Sequence, residues 1–181
     1  MIYCLGHAWL LLLAPAVYWD DWILYKVPYA AILQRFQETG SILHWTGYVH
    51  VLMQAVGPWL YRLSVFVLMF GAGLCLERIL ARHPQVPNSI RLLIVIFFLT
   101  LPFIIGRAAM ITLPYSLCYI MFFLAWMLMP SQKFISGLLF LASFNTNSLL
   151  VFYVLPILDT AKRNDEFRGL GTPTWGVRGW R

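Results

Sequence analysis

Long apolar runs separated by short polar segments dominate the chain. They cover about residues 2–18, 58–80, 91–106, 109–129 and 134–158. A helix needs roughly 20 consecutive apolar residues to cross a bilayer. The first four runs are close to that length, so they predict four transmembrane helices. The pattern as a whole predicts an all-α, polytopic membrane protein.

The fifth run contains polar residues at its middle, Phe-Asn-Thr-Asn-Ser at 144–148. In a straight helix the two asparagines would lie near the bilayer centre, where unpaired amides cost several kcal/mol. A re-entrant helical hairpin would keep this turn inside the protein. It would also place nine of the 13 Lys and Arg residues in the cytoplasm, whereas a straight helix would leave four there. The sequence therefore predicts the hairpin.

Residues 19–57 predict an extracytoplasmic loop with helices lying on the membrane surface. After Pro28, apolar residues at 32, 33 and 36 face away from polar residues at 34, 35, 37 and 38, which is the pattern of an interfacial helix. The apolar segment 44–56 is too short to span and predicts a second interfacial or re-entrant piece.

The predicted organisation is a membrane domain over residues 1–158 and a tail over 159–181. The tail is rich in arginine and glycine without an apolar period, so it predicts an unstructured cytoplasmic segment. The chain ends after about five membrane segments, and we therefore expect it to be a piece of a longer protein.

Composition agrees with a membrane protein. Hydrophobic residues make up 61% of the chain and charged residues 11%, whereas soluble domains have roughly 45–50% and about 25%. The net charge of +6 sets membrane topology rather than nucleic-acid binding, because no basic stretch is interleaved with polar recognition residues. The predicted location is the cell membrane, as a multi-pass protein in contact with its lipids.

Two adjacent carboxylates, Asp20 and Asp21, directly follow the first apolar run. Like charges this close raise each other's pKa unless a cation compensates. Such a pair can bind a divalent cation or supply a general acid or base. The alternative is a solvated helix end beside the interfacial residues Trp19 and Trp22.

Three further residues are candidates for substrate binding. Arg62 and Arg107 are predicted on the outer side, against the positive-inside trend, where an arginine can bind a phosphate with two hydrogen bonds. Either side chain could instead reach toward lipid headgroups. His50 is a candidate substrate contact, with a plain interfacial histidine as the alternative.

The order of these features resembles the N-terminal part of the GT-C superfamily of integral membrane glycosyltransferases. An acidic pair ends the first run, and Gly47-Tyr48-Val49-His50 lies in the outer loop. Gly57-Pro58 then leads into Leu60-Tyr61-Arg62-Leu63-Ser64, and Leu113-Pro114-Tyr115-Ser116 begins the fourth run. The layout is similar to that of bacterial members that modify O-antigen and lipid A, which implies a bacterial inner membrane as the location.

This resemblance implies transfer of a sugar from a polyprenyl-phosphate carrier to an extracytoplasmic glycan or lipid acceptor. It implies a catalytic or metal-coordinating role for Asp20 and Asp21, with a divalent cation as cofactor, and a carrier-phosphate contact for Arg62. The chain departs from the family pattern between Gly106 and Leu113, where it has Arg107 and no acidic residue.

Two other functions fit the sequence. One is a non-catalytic small polytopic membrane protein that binds lipid or a partner. The other is half of a transporter with the 144–148 turn as its substrate site. The chain has no Walker loop, nucleophile elbow or metalloprotease helix motif, which argues against a nucleotide-driven pump or a protease.

Overall fold

The computed structural model describes residues 3, 24–38, 44–100, 112–144 and 147–171. These residues form α-helices joined by short connections, and the described part contains no strand. We number the helices in chain order. They are α1 Tyr29–Glu38, α2 Trp45–Val56, α3 Pro58–Leu80, α4 Asn88–Thr100, α5 Leu113–Leu128, α6 Lys133–Ser143, α7 Asn147–Phe152 and α8 Val154–Gly171. The all-α prediction is confirmed.

The two helices predicted in the first outer loop are present as α1 and α2, and they pack against each other. Ile32 is fully buried between them and their neighbours. The polar side of α1 stays exposed, and there Gln34 Nε2 donates to Glu38 Oε1 at 2.7 Å. The separation of apolar and polar positions at 29–38 thus gives a helix with one buried face.

Gly57 turns the chain directly from α2 into α3. Its φ of 135° lies in a region that side-chain-bearing residues rarely adopt, so glycine permits the sharp change of direction. Its N–H donates to the Met53 carbonyl at 2.8 Å and ends α2. Pro58 follows at the start of α3, where a missing N–H has no cost to the helix.

Helix α3 is the centre of the bundle and packs against α4, α5 and α2. Gly71 and Gly73 allow close approach, because a Cβ at these positions would lie 2.9 Å from the side chains of Ile120 and Leu99, respectively. Tyr3 stacks on Phe66 with ring centroids 4.8 Å apart and donates to its carbonyl at 3.1 Å. Small residues and aromatic stacking therefore fix the neighbours of α3.

Within the described residues, one helix is long and apolar enough to cross a membrane, the segment Trp59–Leu80 with a mean hydropathy of 1.9. Three shorter apolar helices, α4, α5 and α6, accompany it. The side of α3 that faces away from the bundle is apolar as well, with Trp59 54% and Val67 56% exposed. Helix α3 thus carries apolar residues on both of its faces, as core helices of large proteins and membrane spans both do.

The chain reverses direction after α6. Helix α6 packs along α5 and ends at Ser143; α7 begins at Asn147 and α8 at Val154. Tyr153 lies back against Phe140 at 4.7 Å between ring centroids, and Asp159 reaches Trp126 near the end of α5. Helices α6 and α8 therefore do not continue one straight helix, because α8 returns to the end of α5 from which α6 departs.

The predicted unstructured tail is wrong for residues 159–171, which belong to α8. The sequence there includes the good helix formers Ala161, Lys162, Arg163 and Glu166, and these extend a helix that the hairpin has already started. Local propensity outweighs the lack of an apolar period that suggested disorder.

Candidate functional site

The candidate site lies where α1, α2 and the beginning of α3 meet. His50, in the middle of α2, has no exposed surface. Its ring stacks on Phe36 of α1, with centroids 4.9 Å apart, and is tilted against Tyr61 of α3 at 5.3 Å. Three helices from separate parts of the sequence thus enclose one imidazole.

Two polar contacts join His50 to Tyr61. The tyrosine hydroxyl donates to the His50 carbonyl oxygen at 2.6 Å, and the hydroxyl oxygen lies 3.3 Å from His50 Nδ1. The other ring nitrogen, Nε2, is buried and has no hydrogen-bond partner among the described residues. Buried polar atoms without partners are rare in native proteins and call for a physical explanation.

Burial lowers the pKa of His50 from 6.5 to about 4, because the charged imidazolium would lose its hydration. Helix α2 lies outside the membrane-length helix α3. At neutral pH the imidazole is therefore uncharged, and its ring can act as a hydrogen-bond donor at one nitrogen and an acceptor at the other.

Arg62 follows Tyr61 and is also largely buried, with 9% of its surface exposed. Thr46, one turn before His50 on α2, is 1% exposed. Two buried polar side chains, Thr46 and His50, thus lie on α2, and a buried guanidinium follows the tyrosine of α3 that contacts His50.

Of the five predicted site residues, the structure describes His50 and Arg62, and Arg62 directly follows the tyrosine that contacts His50. Asp20, Asp21 and Arg107 lie outside the described residues. Among the residues that the structure does describe, no group of three or more His, Cys, Asp or Glu side chains could hold a metal ion.

Sequence reasoning missed the part played by Tyr61, which fixes His50 through both of its polar contacts. Tyr61 lies in the segment that carries the family resemblance, but its link to His50 joins two helices. No local pattern reveals such a pairing. The two residues lie on different helices, because Gly57 ends α2 before α3 begins, so a period within one helix does not relate them.

A second polar cluster lies at the opposite end of α3. Asp159 Oδ1 is 3.1 Å from His83 Nε2, and Asp159 Oδ2 accepts a hydrogen bond from Trp126 Nε1 at 2.7 Å. Arg82 donates to the Met127 carbonyl near the end of α5. These contacts attach α8 to the ends of α3 and α5, so we assign the cluster a structural role.

Comparison with protein-family models, with curated proteins and with solved structures finds no match to this chain.

Proposed function

We propose that the chain is a multi-pass membrane protein forming the N-terminal module of a glycosyltransferase that takes its sugar from a polyprenyl-phosphate carrier. The observation that supports the proposal is the buried His50–Tyr61 contact at the head of the membrane-length helix α3, where the next residue is the buried Arg62. There a carrier phosphate could leave the bilayer and meet an arginine.

Exposed apolar surfaces support the membrane arrangement. Beyond α3, helices α4, α6 and the hairpin return carry many exposed large apolar side chains, such as Leu93, Phe97, Phe134 and Val151. Water-exposed faces of this size are unusual on soluble monomers. In our proposal these apolar side chains contact lipid. The proposal has four spans, which are the first four apolar runs of the sequence.

The geometry of the hairpin supports its re-entrant placement. Helix α6 has 11 residues, which at about 1.5 Å per residue is roughly half the thickness of the hydrocarbon core. The chain then returns to the Trp126 end of α5, where His83 and the basic turn 78–91 also lie. This common end is the cytoplasmic side in our proposal.

In the proposed mechanism, Asp20 or Asp21 takes the proton of the acceptor hydroxyl while the hydroxyl oxygen bonds to the anomeric carbon of the sugar, and the polyprenyl phosphate leaves as the bond to that carbon breaks. If a divalent cation is bound, the same two carboxylates would hold it and it would supply positive charge. Either role places charge where it develops during transfer. Arg62 and Arg107 bind the phosphate. The donor is a lipid-linked sugar and the acceptor an extracytoplasmic glycan or lipid.

The break between Ser143 and Asn147 favours one other candidate, half of a transporter with its substrate at the broken helix. The two proposals differ in which residues matter. Substitutions at Asn145 and Asn147 should abolish transport, whereas sugar transfer should depend on the outer site.

The acidic pair tests the enzymatic proposal. Asp20→Asn or Asp21→Asn in the full-length protein should reduce sugar transfer about 10²–10⁴-fold, the usual effect of removing a positioned base, while membrane insertion and abundance stay normal. The matched control is Glu38→Gln, a carboxylate on the exposed side of α1, which should be nearly neutral. Wild-type transfer rates in both Asp variants would contradict a catalytic role.

A further inference from the structure

The two contacts between His50 and Tyr61 determine which ring nitrogen of His50 carries the proton. A tyrosine hydroxyl has one proton, and that of Tyr61 goes to the His50 carbonyl at 2.6 Å. The hydroxyl oxygen can therefore meet Nδ1 at 3.3 Å only as an acceptor. It follows that Nδ1 bears the hydrogen and Nε2 presents a bare lone pair.

This lone pair is buried in a neutral ring without a donor among the described residues. A buried acceptor without a donor destabilises the folded protein. The aromatic faces of Phe36 and Tyr61 hold the ring in place from two sides, so the imidazole cannot turn toward another partner without losing its contacts to Tyr61.

An uncharged hydroxyl can supply the missing hydrogen to Nε2, and the sugar of the proposed donor carries such hydroxyls. His50 is also a poor general base at neutral pH. Its pKa of about 4 lies well below that pH, whereas efficient general bases have a pKa near the working pH. Recognition of a hydroxyl, rather than removal of its proton, is the role that fits.

We propose that His50 Nε2 accepts a hydrogen bond from a sugar hydroxyl of the lipid-linked donor and thereby positions the sugar beside Arg62. This inference rests on the proposed function, because it concerns a ligand of the same site. It assigns the sugar hydroxyl to His50 and the phosphate to Arg62, so the two residues recognise separate parts of one molecule.

Two substitutions of His50 by amide residues distinguish the roles of its two ring nitrogens. His50→Gln can keep an acceptor near the position of Nε2, whereas His50→Asn keeps a polar group near Nδ1 and lacks the distal acceptor. The measurement is binding of polyprenyl monophosphoglucose and of sugar-free polyprenyl monophosphate to the full-length protein in nanodiscs. We expect His50→Asn to bind the sugar-bearing lipid about tenfold more weakly, with the sugar-free lipid unaffected and His50→Gln close to wild type.

The results distinguish this inference from the proposed function. Failure of the wild-type protein to bind either lipid would overturn both. Equal binding of the sugar-bearing lipid by wild type and His50→Asn, or an equal loss for both lipids, would overturn the inference alone. Nitrogen-15 NMR of histidine-labelled wild-type protein provides a test that needs no variant to fold. A protonated Nε2 in the ligand-free protein would also overturn the inference.

Discussion

The buried, uncharged state of His50 makes the stability of the protein depend on pH. The pKa of this side chain is about 4 in the folded protein, against 6.5 for the exposed group. The unfolded chain therefore binds a proton in the range between these values when the folded chain does not. Since stability rises with pH wherever the unfolded state binds more protons, acidification should destabilise the fold.

The size of the effect follows from the same two values. Each unit of difference in pKa corresponds to 1.36 kcal/mol, so lowering the pH from above 6.5 to below 4 should cost about 3 kcal/mol of unfolding free energy through His50. For a chain of this length, 1 kcal/mol shifts the melting temperature by roughly 2–4 °C. The expected decrease is about 10 °C, and most of it should develop between pH 6.5 and 4.

The assay is thermal unfolding of the purified protein in detergent from pH 8 to pH 4. His50→Gln, which cannot gain a proton, should lose this component of the pH dependence. His44→Gln is the matched control, because His44 is an exposed histidine beside the same helix, and it should keep the wild-type profile. Identical pH profiles for wild type and His50→Gln would refute the argument from burial.

Two further predictions concern the hairpin and its attachment. In single-cysteine variants, an impermeant thiol reagent should label Glu38→Cys from outside intact cells and should leave Lys162→Cys unlabelled; external labelling at 162 would contradict the re-entrant hairpin. Asp159→Asn should destabilise the protein by about 1–3 kcal/mol, because His83 and Trp126 both contact the carboxylate. Glu77→Gln, at the same end of α3 but outside this cluster, should unfold at the wild-type temperature in the same assay, and an equal loss in both variants would argue against a specific role for Asp159.

Sequence patterns predicted the helices where the local signal was strong. The polar and apolar sides of 29–38 gave α1, and Gly57-Pro58 marked the start of α3. The polar residues at 144–148 marked the break between α6 and α7. In each of these places the cause is local: an amphipathic period, a backbone that only glycine readily adopts, or the cost of burying amides.

The remaining features depend on contacts between distant segments. Tyr61 fixes His50 across two helices, and Asp159 joins residues 33 and 76 positions away in the chain, Trp126 and His83. Neither pairing has a sequence period or motif, because the packing of whole helices brings the partners together. The same holds for the burial of Arg62, which its position at the head of an apolar run did not determine.

The central claim is that the head of α3 binds a polyprenyl phosphate. Its most direct test is the affinity of the full-length protein in nanodiscs for polyprenyl monophosphate, compared between wild type, Arg62→Gln and the control Arg35→Gln on the exposed side of α1. Because hydrogen bonds to a charged group contribute about 1.5–3 kcal/mol, we expect Arg62→Gln to bind about 10–100-fold more weakly and Arg35→Gln to bind like wild type. No binding by the wild-type protein, or equal affinity of wild type and Arg62→Gln, would contradict the claim.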